Sequence, residues 1–444
     1  MSKPIDLNGL PESNSARRAE TFWQDRQEQA VAEGEMNGGS AAAVAERLDQ
    51  PAERSPSGLG AGLLFILSIA CGVSVATIYF PQAITLLIAS DLHVPADTAA
   101  LVVTTAQLGY ALGLLLLVPL GDRLPHRPLV ATLLTLTAAA LLIASQAPTL
   151  PVLAVASMAT GITTVVPQIL LPMAAGLMPP ERRGAVTGTL LSGLLAGILL
   201  ARTFGGFLGE QLGWRGPYLV AAAALFAFAV LLGLVLPRTA PTSSQRYPSL
   251  VAAAFILFRH EPELRRSCLY QALMFGGFTA AWTSLALLLG GPLYHLGGQA
   301  VGLIALVGAA SVLCTPVVGR LVDRKGPDFV SPLAFVTGIA AAIVLLGGAL
   351  GGATGLLALT AGMLLLDIAV QSGQTANQAR VFAIRPDARS RLNTAYMTSV
   401  FLGGSAGSWI GVKIYGHWEW PGVCALIAAA ATIALARHAV KIYR

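Results

Sequence analysis

From residue 58 onward the chain is a succession of apolar stretches, parted by short segments that hold most of its charge. A bilayer core of about 30 Å is crossed by roughly 20 mostly apolar residues in helical form. Twelve stretches meet that requirement, at 59–88, 98–120, 129–147, 151–178, 185–208, 217–236, 268–290, 300–318, 331–350, 354–380, 393–415 and 420–437. Only 11% of the 444 residues are charged, against about 25% in soluble domains. So few charges cannot cover the water-facing surface of a soluble protein of this size. The four cysteines, Cys71, Cys268, Cys314 and Cys424, all fall in apolar segments, where they behave as small hydrophobes. The pattern predicts an all-α, polytopic membrane protein.

The few charges are sorted by position. Residues 1–57 carry 10 of the 22 acids against 6 basic residues, with too few large apolar side chains to build a core. They read as a disordered cytosolic tail. Beyond the tail, with the N-terminus inside, 19 basic residues fall on one face of the predicted topology, among them Arg123, Arg127, Arg182, Arg183, Arg324, Arg389 and Arg391. The other face has Arg215 and Lys413. Basic residues accumulate on cytoplasmic loops, which predicts both termini inside and an even number of spans.

The chain also repeats itself at an offset of about 206 residues. Trp214 and Trp420, Gln168 and Gln374, and Pro180-Glu181-Arg182-Arg183 and Pro386-Asp387-Ala388-Arg389 are each 206 apart. Gly121-Asp122-Arg123 after the second span answers Gly319…Asp323-Arg324-Lys325-Gly326 after the eighth. Two six-helix bundles follow, at 58–237 and 267–444, joined by a cytoplasmic linker at 238–266. This 6+6 plan, with a G-x-x-x-D-R-x-G loop in both halves, resembles the major facilitator superfamily. Within it the chain is similar to the bacterial drug:proton antiporters. In the first loop Val118 and Pro125 stand where that family has glycines, leaving Asp122, Arg123 and Arg127. In the fifth span, Gly197…Ala201-Arg202…Gly205-Gly206 follows the antiporter motif with Arg202 at its proline position, and Ser157 replaces the fourth-span motif arginine. The resemblance implies two bundles rocking about a central cavity lined by the first, fourth, seventh and tenth spans. It also implies that Asp122, Arg123, Arg127, Gly319, Asp323, Arg324 and Gly326 act as cytoplasmic gates through contacts between charge and helix dipole.

The ionisable residues left inside the spans are the candidates for chemistry, because a charge at the bilayer centre costs at least about 2.5–3.5 kcal/mol. By the sequence limits these are Asp367 and Arg202. A buried aspartate sheds much of that cost by protonating, and a carboxyl that cycles between the two forms is what proton coupling requires. The two are candidates for a pair that protonation releases. Arg202 can equally snorkel to the outer surface. On the tenth span Asp367, Gln371, Gln374 and Gln378 recur at spacings of 4, 3 and 4, one helical face. Ser157, Gly161, Thr164 and Gln168 repeat the pattern on the fourth. This stripe faces a cavity, or else it glues helices together. Tyr79 beside the predicted kink at Pro81, Gln107 and Tyr110, and Gln271 and Trp282 complete the candidate cavity residues. The glycine runs Gly193…Gly197 and Gly403-Gly404…Gly407 predict close helix crossings.

No sequence feature supports catalysis. The six histidines, His93, His126, His260, His295, His417 and His438, form no metal-ligand cluster and lie outside the predicted spans, and there is no P-loop. The basic balance follows from topology rather than nucleic-acid binding. The sequence therefore predicts a carrier without cofactor or metal, acting as a monomer in a bacterial inner membrane. Its partners would be a small-molecule substrate, protons and the lipid bilayer, and it would export by proton antiport. A proton symporter importing a metabolite, and a non-transporting membrane sensor recruiting a partner through the tail, remain open alternatives.

Overall fold

In the computed structural model, residues 59–241, 245–385 and 388–442 are described. The 1–57 tail expected to be disordered lies outside them. Among the described residues every regular element is helical, as a membrane interior requires if each backbone group is to be satisfied within its own segment. Nine helical segments, Ala96–Asp122, His126–Ser145, Leu150–Gly176, Glu181–Leu212, Arg215–Val235, Pro262–Gly290, Gly298–Lys325, Pro327–Leu350 and Gly352–Ile384, are each long and apolar enough to cross a bilayer. The first span is a bent pair, Ala61–Ala76 and Pro81–Asp91, at 41°. The last helical run, Arg389–Ile442, holds 54 residues, about 80 Å at 1.5 Å per residue and more than twice a bilayer core. It is two spans. Glu419 turns the chain at φ 51°, in the left-handed region a non-glycine residue rarely enters, and Pro421 follows it. Twelve crossings result, in agreement with the sequence.

Three of these spans are interrupted inside their length rather than at an end, and each break has a local cause. Pro81 has no N–H to give and its ring blocks the preceding turn, so Tyr79 and Phe80 both donate to the Ala76 carbonyl at 3.0 and 3.1 Å. The fourth span breaks between Thr163 and Val166, just ahead of Pro167. The eighth passes through a 3₁₀ segment, Ala309–Cys314, ahead of Pro316. The first two breaks meet. Thr164 Oγ1 donates to Ser74 O at 2.7 Å, and Thr77 Oγ1 donates to the same carbonyl at 2.7 Å.

The internal repeat is a repeat of packing. The first span lies on the fifth, the second on the fourth and the third on the sixth; the seventh lies on the eleventh and the ninth on the twelfth in the same manner. At the first crossing a Cβ on Gly197 would run into the Gly72 backbone, and at the seventh–eleventh crossing a Cβ on Gly407 would run into Gly276. The two glycine runs named from the sequence are thus where backbones touch. Between the halves, the second span meets the eleventh and the fifth meets the eighth.

Two boundaries differ from the sequence reading. The 238–266 linker contains a helix of its own, Tyr247–His260, and the seventh span starts at Pro262. Hydropathy averages missed that start because Glu263, Arg265 and Arg266 crowd its first turns. His438, outside the predicted spans, and Arg380, at the predicted edge of the tenth, lie within the twelfth and tenth helices and are buried.

Candidate functional site

A cavity of about 170 Å³ is lined by residues of both halves. The tenth helix contributes the whole predicted stripe, Asp367, Gln371, Gln374 and Gln378, and the fourth contributes Gln168. Tyr79 and Tyr110 line it too. Sequence reasoning missed Phe275, Phe278, Phe401, Thr315 and Thr375, which complete the wall. Single aromatics and hydroxyls on apolar helices carry no signal of which way they point. Gln371, Gln374 and Gln378 are part-exposed and Asp367 is buried; from Asp367 the stripe runs along the tenth helix towards the side of the Asp122 and Asp323 loops, here called the basic end.

Four predicted cavity residues are placed elsewhere. Thr164 is spent on the junction of the first and fourth breaks. Gln271 donates to Val370 O at 3.2 Å and accepts from Asn377 Nδ2 at 3.2 Å, tying the seventh helix to the tenth. Gln107 is buried on the second–eleventh contact, where a Cβ on Gly404 would stand 3.0 Å from its Oε1. Trp282 lies against Arg202.

Arg202 is 1% exposed. Its Nε donates to Gln82 Oε1 at 2.6 Å, and its guanidinium carbon sits 4.2, 5.1 and 5.6 Å from the ring centres of Trp282, Tyr79 and Phe278. A desolvated cation over an aromatic face gains about 2 kcal/mol or more, which offsets part of the several kcal/mol lost on removing an ion from water. That cage is how an arginine stays inside the bundle with no carboxylate at ion-pair distance among the described residues. Gln82, the residue after the kink proline, was legible as a polar group inside a span.

Asp367, 4% exposed, rests where a Cβ on Gly308 would collide with its Oδ2, at the break in the eighth span. The same Cβ would lie 3.9 Å from Trp282, so Trp282 borders both charged groups. Among the described residues Asp367 Oδ2, Arg202 Nη2 and Trp282 Nε1 have no hydrogen-bond partner. The acid and the base lie within electrostatic reach of one another without forming an ion pair.

Beyond Arg202, towards the end opposite the basic end, the fifth and eighth spans pack directly on each other. Thr203 Oγ1 donates to Gly302 O at 2.8 Å, and a Cβ on Gly206 would enter the Gly298 carbonyl. Glu210 Oε1 accepts the Gln299 N–H at 2.9 Å. This caps the helix Gly298–Gly308 from the other half of the molecule, a carboxylate at the positive end of a helix.

At the basic end, Asp122 borders a crevice with Leu250 and Ala254 of the linker helix and with Arg391. Arg127 Nε donates to Gly233 O at 2.6 Å. Arg123, Asp323 and Arg324 are exposed, Gly319 faces open space, and Gly326 ends its helix at φ 81°. The dense charge network lies beside these motif positions. Asp328 accepts from Arg266 at 2.6 Å and from Arg380 at 2.9 Å, and Arg380 also bonds Asn377 Oδ1 at 2.6 Å. His438 Nδ1 meets Arg266 Nη2 at 2.9 Å while Nε2 meets Asp328 O at 3.1 Å. A guanidinium only donates and a carbonyl only accepts, so this imidazole is neutral with its proton on Nε2.

Twelve apolar crossings in two repeated bundles, with a cavity between them that carries a carboxyl and four amides and with broken helices around it, are the architecture of a membrane transport protein. The Major Facilitator Superfamily profile matches residues 63–379. The chain belongs to that superfamily. It is 39% identical over 377 residues to the uncharacterized transporter YgaY of Escherichia coli O157:H7, covering 85% of this chain and 94% of that protein. It is 35% identical over 387 residues to a Streptomyces coelicolor protein described as "Probable transporter SCO4007", covering 86% and 88%. Among solved structures, the nucleoside transporter NupG superposes with a TM-score of 0.68 at 16% identity, covering 86% of this chain and 98% of that one. An inward-facing bacterial homologue of the human lysosomal transporter Spinster gives 0.61 at 17%, covering 88% and 95%. At such identities the likeness speaks for the fold alone.

Proposed function

We propose that this transporter exports a small molecule across the bacterial inner membrane by proton antiport, and that Asp367 carries the proton. The observation behind this reading is Asp367 itself, a carboxyl in the wall of the central cavity with one oxygen unsatisfied and a caged arginine close by. When Asp367 is charged it is drawn to Arg202 and its burial is costly. When it is neutral both the penalty and the attraction fall away. The two protonation states therefore favour different placements of the tenth helix, and with them different openings of the cavity. Substrate enters from the basic end, where the amide stripe is accessible. Glutamines both donate and accept, which suits a substrate with polar groups of either kind, and the rings of Tyr79, Phe275 and Phe278 suit an apolar surface. The cavity is complete within one chain, so a monomer is sufficient.

Inverted membrane vesicles test this. A panel of drugs, sugars and amino acids is presented under an imposed pH gradient while internal pH is recorded. The wild-type protein should accumulate its substrate with proton release, and collapse of the gradient should abolish accumulation. Asp367→Asn should bind substrate yet lose gradient-driven uptake by about tenfold or more, as expected when a proton-transferring group is removed. Full coupling in the Asn variant would remove Asp367 from the mechanism.

A further inference from the structure

The linker helix Tyr247–His260 presents an arrangement that the transport cycle does not use. Its inner face buries Leu250 and Ala254 against the bundle. Its outer face is apolar as well, with Phe255 59% and Ile256 57% exposed and Phe258 beside them. A helix apolar all round does not belong in water. Its 14 residues extend about 21 Å, too short for a core of about 30 Å. The physical solution is a helix lying in the plane of the membrane boundary.

The charge at its two ends specifies which lipid it meets. Arg246 precedes the helix, Arg259 and His260 close it, and Arg265 follows; all four are exposed. The Arg265 guanidinium donates to the Arg259 carbonyl, which holds these two cations together where the helix dipole already favours positive charge. Among the described residues neither arginine has a carboxylate at ion-pair distance. The nearby acids are engaged elsewhere, Glu261 with Arg385 at 3.0 Å and Glu263 with Arg266 at 3.1 Å. We infer that the outer face of the linker helix is a docking surface for anionic phospholipid, with Phe255 and Ile256 among the acyl chains and Arg259 and Arg265 on the phosphates. The helix also touches both halves. Tyr247 donates its hydroxyl to Leu116 O at 2.6 Å in the first half, while Leu250 and Ala254 border Ser390, Arg391 and Thr394 of the second. A lipid bound here therefore stabilises the assembled pair.

Two measurements on the full chain test the assignment. Purified protein is titrated in detergent with phosphatidylglycerol or phosphatidylcholine and followed by native mass spectrometry and thermal unfolding. The wild type should retain phosphatidylglycerol preferentially and unfold at a higher temperature with it. Arg259→Gln together with Arg265→Gln should weaken that lipid roughly 30-fold, the loss expected for two surface cations, and should erase the thermal difference. Equal retention of the two lipids by the wild type, or an unchanged affinity in the double variant, overturns the charge assignment. A nitroxide attached at Phe255→Cys, in a background with the native cysteines replaced by serine, then reports depth in phosphatidylglycerol vesicles. Collision with oxygen should exceed collision with an aqueous nickel chelate. The reverse order would leave this face in water, free for a soluble partner, and the inference would fail.

Discussion

Arg202 shows how a single residue departs from the motif around it and is still accommodated. The fifth-span glycines let the backbone pass close to the first and eighth spans, and the arginine enters the space between Gln82 and three aromatic rings. Its planar guanidinium is what the cage fits; an ammonium would keep the charge but neither the stacking nor the forked donor set. Arg202→Lys is therefore expected to destabilise the protein by about 2 kcal/mol, the scale of a charge-assisted hydrogen bond plus a desolvated cation–π contact. Thermal unfolding in detergent measures this, and an unchanged midpoint would mean that the cage contributes nothing.

Among the elements, the glycine crossings separate backbone contact from helix propensity. A Cβ on Gly407 would press into the Gly276 backbone of the seventh helix, whereas one on Gly188, in an exposed stretch of the fifth, would meet nothing within 4 Å. Gly407→Ala should cost about 1–3 kcal/mol through overpacking. Gly188→Ala should leave stability unchanged or raise it by about 0.5–1 kcal/mol, because alanine suits a helix interior better. Comparing the two unfolding midpoints decides whether packing or propensity governs these helices. A similar gain at both positions would mean that propensity governs and that the crossing yields to the added methyl.

For the molecule as a whole, the seam between the fifth and eighth spans is the contact that alternating access must break. Glu210 and Gln299 face each other across it. Glu210→Cys with Gln299→Cys, in a cysteine-free background, should cross-link on oxidation and hold this end closed. Transport should stop and return on reduction. Transport that continued through the cross-link would show that the seam stays shut throughout the cycle.

Hydropathy, charge order and a 206-residue repeat were enough to read twelve spans and two bundles, because a bilayer imposes length and polarity on each helix separately. The same one-dimensional constraint exposed Asp367 and the 4–3–4 stripe, whose spacing alone gathers them on one face, and all four of those side chains line the cavity. It could not say which polar groups would be used up between helices. Gln271 and Thr164 looked like cavity residues and are spent on helix contacts, while Phe275, Phe401 and Thr315, which the sequence did not single out, line the wall. His438 fell outside the predicted spans and Arg380 at the edge of one because hydropathy averages blur helix ends, yet both are buried where several helices meet. Nor could the sequence place Asp367 and Arg202 close but unpaired. That depends on how breaks in three separate spans and one tryptophan come together in space, which tertiary packing alone decides.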